Sequence, residues 1–210
     1  MKLIGMLDSP YVRRVAVSLQ LLGLEFEHQS LSVFSTFDQF QKINPVVKAP
    51  TLVCNDGLTL MDSTLILDFA EALAAGRKSL MPLNLNDRRH ALRTIGLALA
   101  ACEKSVQILY ERNLRPVEKR HAPWVSRVTG QLLAAFEALE SDFATRQHAT
   151  GSRDINQAGV STAVAWQFAQ QMLPDVVPAS NFPNLQEFSQ RVEALPEFSS
   201  APHGSGTCPC

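Results

Sequence analysis

Ser9-Pro10-Tyr11 stands between a short apolar run and a helical repeat. It joins a hydroxyl to two helix-opening signals, Ser at the N-cap and Pro in the first turn. A hydroxyl placed there can cap the helix. It can also donate a hydrogen bond to an anion that the free N–H groups of the first turn attract. A thiolate is one such anion: a free thiol with a pKa of about 8.5 is only slightly ionised at neutral pH. One charge-assisted hydrogen bond and a helix terminus are adequate for roughly one to two pKa units, at about 1.4 kcal/mol each. Asp62-Ser63 opens a second helix. Its N–H groups and hydroxyl suit a carboxylate, and Asp62 suits an ammonium. Capping and binding are compatible at one residue. Lys48 is either a solvated turn residue or a counter-charge for a substrate carboxylate. His28, His90, His121, His148 and His203 show no metal spacing, and Cys208-Pro209-Cys210 offers two sulfurs with no partner His beside them. No metal site is expected.

The elements that must position these residues follow from periodicity. Residues 2–7 read as a strand, and residues 10–22 as a helix carrying Val12, Val15, Ala16, Leu19 and Leu22 on one face, with Gly23 at its end. A short strand over 26–30 follows, then a segment with Phe34, Phe37 and Phe40 that has room for one or two helical turns before Asn44-Pro45. Thr51-Leu52-Val53-Cys54 and residues 58–61 flank Asp56-Gly57 as a hairpin, and a helix carrying Leu65, Ile66, Phe69 and Leu73 runs to Gly76. After a linker over 77–86 everything reads as helix. Leu92, Ile95, Leu99, Cys102, Val106 and Leu109 predict the seam of a long helix. Leu132, Phe136, Leu139 and Phe143 predict a second, Val160, Val164 and Phe168 a third, and residues 184–194 a short fourth. The expected organisation is an α/β half over 1–78, an all-α half over 86–200 and a mobile tail over 201–210.

Composition narrows the class. Of 210 residues, 46% are apolar and 19% charged, which suits a folded globular chain. Nineteen Lys and Arg against twenty Asp and Glu leave a net charge of -1, so no nucleic acid partner is expected. The apolar stretch over 95–102 is too short to span a membrane, and the apolar start ends at Asp8, too soon for a signal peptide. Four cysteines without framework spacing point to a reducing, cytoplasmic compartment.

Taken in order, Ser9-Pro10-Tyr11, Asn44-Pro45, Lys48-Ala49-Pro50-Thr51-Leu52 and Asp62-Ser63 resemble the thioredoxin-like N-terminal domain of glutathione S-transferases. Phe182-Pro183-Asn184-Leu185, Arg191-Val192-Glu193-Ala194 and Pro196-Glu197-Phe198 resemble the last helices of that family. The resemblance implies an α/β thioredoxin-like N-terminal domain plus an all-α helical C-terminal domain, and glutathione as co-substrate. It implies that Ser9 holds the thiolate, that Pro50 is cis so that the Ala49 backbone pairs with the peptide, and that Lys48, Asp62 and Ser63 hold its charged ends. A small apolar electrophile would lie between the domains, with Tyr11, Phe34, Ile108 and Arg112 as candidate walls, joined by Phe168. Such spacing is otherwise that of core residues. The family also implies a homodimer with a role in detoxification.

Two departures carry weight. Glutaredoxins and some transferase classes place Cys where this chain has Ser9, and serine cannot form a mixed disulfide, which favours addition or substitution over thiol-disulfide exchange. Gly159 lacks the side chain that closes the family's capping box at a later helix, leaving Asn156 or Asp154 to cap it. Two other readings stay open: a non-catalytic glutathione-binding or protein-interaction module, and a glutathione-dependent isomerase or dehalogenase.

Overall fold

The computed structural model describes residues 1–208, so Pro209 and Cys210 of the Cys208-Pro209-Cys210 segment lie outside the described residues. Strand β1 (Lys2–Ile4) pairs in parallel with β2 (Glu27–Gln29) and antiparallel with β3 (Thr51–Val53). Strand β4 (Thr59–Met61) pairs antiparallel with β3, giving the order β2-β1-β3-β4. Parallel neighbours cannot be joined by a tight turn, and α1 (Pro10–Leu21) supplies the crossover. Its Val12, Val15, Ala16 and Leu19 are fully buried, as their spacing predicts. Helix α2 (Phe37–Ile43) occupies the phenylalanine segment, and α3 (Ser63–Leu73) follows the hairpin.

The chain divides into two compact units. The first holds Met1–Met81, but also Gly151–Asn156 and the described residues from 193 onward. A boundary near residue 80 is therefore present, while two later segments return to the first unit. The short α8 (Pro196–Ser199) lies in one of them. Residues 201–208, expected to be a mobile tail, are instead held in place. Ala201 and Cys208 are buried, and the segment bonds to Arg13, Gln20, His28 and Ser30. A segment fixed by hydrogen bonds to its backbone needs no hydrophobic period, which is why its sequence reads as unstructured.

The second unit contains α4 (Leu85–Asn113), α5 (Ala122–Thr145), α6 (Gln157–Met172) and most of α7 (Pro183–Glu193). Helix α4 packs against both α5 and α6. Its buried face differs from the expected seam. Ala91, Thr94, Ile95, Ala98, Ala101, Cys102, Ser105 and Ile108 are buried, whereas Leu92 is 54% exposed. Small side chains let two neighbours approach the α4 backbone closely, and the bulkier leucines flank the contact. Leu132, Phe136, Leu139 and Phe143 of α5 are buried as predicted, as are Val160, Val164 and Phe168 of α6. Phe136, Trp166 and Phe182 form a mutual aromatic cluster with ring centroids 5.6–5.9 Å apart. No helix among the described residues is long and apolar enough to cross a membrane.

Candidate functional site

Ser9 takes an extended conformation (φ -73°, ψ 122°), and its Oγ accepts a 3.5 Å hydrogen bond from the Val12 amide, with Pro10 at the first helical position. That bond uses one lone pair and leaves the hydroxyl hydrogen to donate elsewhere. The loop leading to Ser9 begins at Gly5, whose φ is +136°. A Cβ there would lie 2.6 Å from Val12 Cγ2 and 3.2 Å from Ala49 Cβ, so only glycine lets the loop pass between α1 and the turn at residue 49. Gly5 was missed by sequence reasoning. Its one signal is a glycine directly after a strand.

The Ala49–Pro50 peptide is cis. A buried network shapes the turn before it: Asn44 Nδ2 donates to Thr51 Oγ1 at 2.8 Å, Asn44 Oδ1 accepts from the Val46 amide at 3.0 Å, and Thr51 Oγ1 donates to the Lys48 carbonyl at 2.7 Å. This network holds Val47 at φ +52°, a conformation a β-branched residue seldom adopts. Such strain is concentrated where a backbone must present itself to a ligand.

Asp62 also has a positive φ, +76°, and caps α3 by accepting from the Thr64 amide at 2.9 Å. Lys48 Nζ stands 3.9 Å from Asp62 Oδ2. Ser63 is buried, and its Oγ accepts from Arg14 Nη1 at 3.0 Å, with Thr64 Oγ1 3.2 Å from the same nitrogen. Arg14 was not anticipated, since an arginine among the apolar positions of α1 reads as solvated. Its side chain is buried and places a cation at the opening of α3, where the helix dipole already favours an anion. Two helix openings, the turn at 47–50 and the cations Lys48 and Arg14 are thus linked within the first unit.

Asp8, beside Ser9, has its carboxyl pushed up by burial, an effect that neighbouring His203 opposes. Of the wall candidates, Tyr11 is half-buried on α1 and Phe34 is 57% exposed. Ile108 is fully buried, a core residue of α4 rather than a lining one, and Phe168 is buried as well. Arg112 donates to both oxygens of Asp175, at 3.2 and 2.9 Å, and these bonds hold the Asp175 carboxyl below its ordinary range. Its guanidinium is thus committed within the second unit. Among the described residues no three His, Cys, Asp or Glu side chains gather to hold a metal ion.

Residues 3–78 match the family model described as glutathione S-transferase, N-terminal domain. The chain is 30% identical over 90 residues to glutathione transferase GST 23 of Zea mays, covering 43% of this chain and 40% of that protein. It is 32% identical over 73 residues to the uncharacterized GST-like protein YibF of Escherichia coli, covering 35% of this chain and 36% of that protein. The matches therefore span about two fifths of the length of these curated relatives. Among solved structures, a glutathione S-transferase from Methylobacterium radiotolerans in complex with glutathione sulfonate aligns with a TM-score of 0.86 at 24% identity. That alignment covers 97% of this chain and 95% of that one. The domain match lies on the residues that build the site, so residues 3–78 are a glutathione S-transferase N-terminal domain, and the fold along nearly the whole sequence is shared with a solved glutathione S-transferase.

Proposed function

We propose that this protein is an enzyme that activates the thiol of glutathione for attack on a small apolar electrophile. The observation that carries the reading is the linkage of the α1 opening, the 47–50 turn and the α3 opening in one unit. The thiol releases its proton to solvent, and the sulfur anion rests against the Ser9 hydroxyl and the first-turn N–H groups of α1. Ala49 offers its backbone to the peptide. Lys48 neutralises a carboxylate, the α3 opening receives the γ-glutamyl carboxylate, and Asp62 pairs with the ammonium. Ser63 still has its hydroxyl hydrogen to donate, because its contact with Arg14 uses it as acceptor. A sulfur lone pair then forms the carbon–sulfur bond. In substitution the leaving group departs with its bonding electrons, and in addition to a conjugated double bond the adjacent carbon takes a proton from water. Tyr11, half-buried, and Phe34, exposed, are the wall candidates we keep. We assign the enzyme to the cytoplasm as a homodimer, with detoxification as its role.

The test is a glutathione titration followed by calorimetry and by ultraviolet difference absorbance of the thiolate. The natural chain should bind glutathione and show thiolate near neutral pH. Ser9→Ala should keep the ligand, raise the bound thiol pKa by about one to two units and slow turnover by roughly ten- to a hundredfold at neutral pH. Ligand bound without thiolate in the natural chain would make the protein a binding module, and no glutathione affinity at all would end this reading.

A further inference from the structure

The described residues after Glu193 run back along α1 and β2 as a strap. Arg13 clamps its start. This side chain, 2% exposed, donates to both oxygens of Glu193 at 2.8 and 2.5 Å and to the Ala201 carbonyl at 2.7 Å, and it lies 5.8 Å from the Phe198 ring centroid. Farther on, Ser30 Oγ donates to the Ser205 carbonyl at 2.8 Å. At the far end, Gln20 Nε2 lies 3.1 Å from Cys208 Sγ, and the Cys208 amide donates to His28 Nδ1 at 2.9 Å.

His28 is the joint between the strap and the site. Its Nε2 lies 2.7 Å from the Gly5 carbonyl, so the buried ring of β2 touches the first residue of the loop that leads to Ser9. An amide N–H only donates and a carbonyl only accepts. Nδ1 must therefore accept and Nε2 must carry the hydrogen, which only a neutral imidazole in that tautomer satisfies. Protonation puts a hydrogen on Nδ1, and two donors then face each other. The bond to Gly5 survives, while the bond to Cys208 does not.

The other groups around the joint leave this logic intact. On β2, Glu27 is exposed and pairs with Lys2 of β1 at 3.2 Å. From α1 the side chain reaching the strap's end is the neutral amide of Gln20, and from the strap itself comes the Cys208 thiol. Higher along the strap, His203 interacts with Asp8, Arg13 and Glu193. Burial lowers the proton affinity of the His28 ring, and the Gly5 carbonyl opposes it.

We propose that residues 201–208 form a proton-released strap: neutral His28 ties the strap's end to the Gly5–Ser9 loop, and a proton on His28 frees that end while the bond to Gly5 stays. The device rests on hydrogen bonds within the fold and stands whether or not Ser9 holds a thiolate. Because the closed strap prefers the neutral ring, its stability is complete above the pKa that His28 takes in the open strap. It is lost as the pH falls from there to the lower pKa of the closed state. Within that window the open fraction grows about tenfold per pH unit.

Amide exchange of the full-length chain, with the His28 ring titration followed by NMR, tests this. After correction for intrinsic rates, protection of the Cys208 amide should fall about tenfold per pH unit once the pH drops below the His28 pKa of the open strap. The Ser200 amide, bonded to the Pro196 carbonyl at 2.9 Å, should stay protected. His28→Gln, which can accept from Cys208 and donate to Gly5 without titrating, should give flat Cys208 protection. Flat protection in the natural chain, or an undiminished fall in His28→Gln, would overturn the proposal. If His28→Gln does not fold, Cys208→Pro, which removes the donating amide, should raise the His28 pKa toward its ordinary value. An unmoved pKa would equally overturn it.

Discussion

Arg13 and Lys48 carry the same charge in the same unit and should respond to removal in opposite ways. Arg13 is buried with a bidentate carboxylate, a carbonyl and an aromatic ring around it, and truncating it strands Glu193 and the Ala201 carbonyl in a low-dielectric setting. Arg13→Ala should cost about 3–5 kcal/mol of stability, read as a lowered urea midpoint. Lys48 is 52% exposed and its nitrogen is 3.9 Å from Asp62, a solvent-screened pair worth little. Lys48→Ala should change stability by no more than about 0.5 kcal/mol. Glutathione affinity should nevertheless drop in calorimetry, and unchanged affinity would remove Lys48 from the site. This contrast also shows what the sequence hides. The placement of Ser9, Asp62 and Ser63 at helix openings and of Lys48 and Pro50 in a proline turn was legible, because local rules describe such positions. Arg13 and Arg14 were not, because their partners at 193, 201, 63 and 64 are distant in sequence.

Helix α5 was read well from its apolar spacing and helix α4 less well. Helix α5 has a single apolar stripe, and its predicted positions are the buried ones. Helix α4 meets two neighbours, so alanines and serines carry its contact and the leucine spacing misplaces the seam. Helix α7 adds a second lesson. Glu140 of α5 accepts from the Asn184 amide at 2.9 Å, from Asn184 Nδ2 at 2.6 Å and from the Leu185 amide at 3.0 Å, closing the exposed donors of the first α7 turn. No residue next to α7 announces this cap. A negative charge at a helix opening is favourable, and Glu140→Gln keeps the shape while losing the charge and one acceptor oxygen. The expected loss is about 1–2 kcal/mol, seen as a lower urea midpoint with an unchanged m-value. A variant as stable as the natural chain would show that the α7 opening is satisfied without Glu140.

At the scale of the molecule, the first unit cannot be cut out as the continuous stretch its motifs suggest. The family model ends at residue 78, yet the unit takes in Gly151–Asn156 and the residues from 193 onward. Lys78 Nζ donates to the Ser152 carbonyl at 2.8 Å, and Ser152 Oγ donates to Glu197 at 2.7 Å, so the two returning segments are joined to each other as well as to the end of the α/β stretch. A polypeptide of residues 1–81 would keep the whole sheet, α1, α2 and α3. It would lose Glu193, Phe198 and Ala201 from around Arg13, and Cys208 from His28. A domain of that size retains only a few kcal/mol of net stability, which the uncompensated Arg13 alone would consume at about 3–5 kcal/mol. The isolated fragment should therefore show no cooperative urea transition and a collapsed amide spectrum, whereas the full chain should show a sharp transition. A dispersed amide spectrum and a steep transition for the fragment would mean that the returning segments decorate the unit rather than complete it. Arg13 would then have to find solvent or another acceptor within residues 1–81.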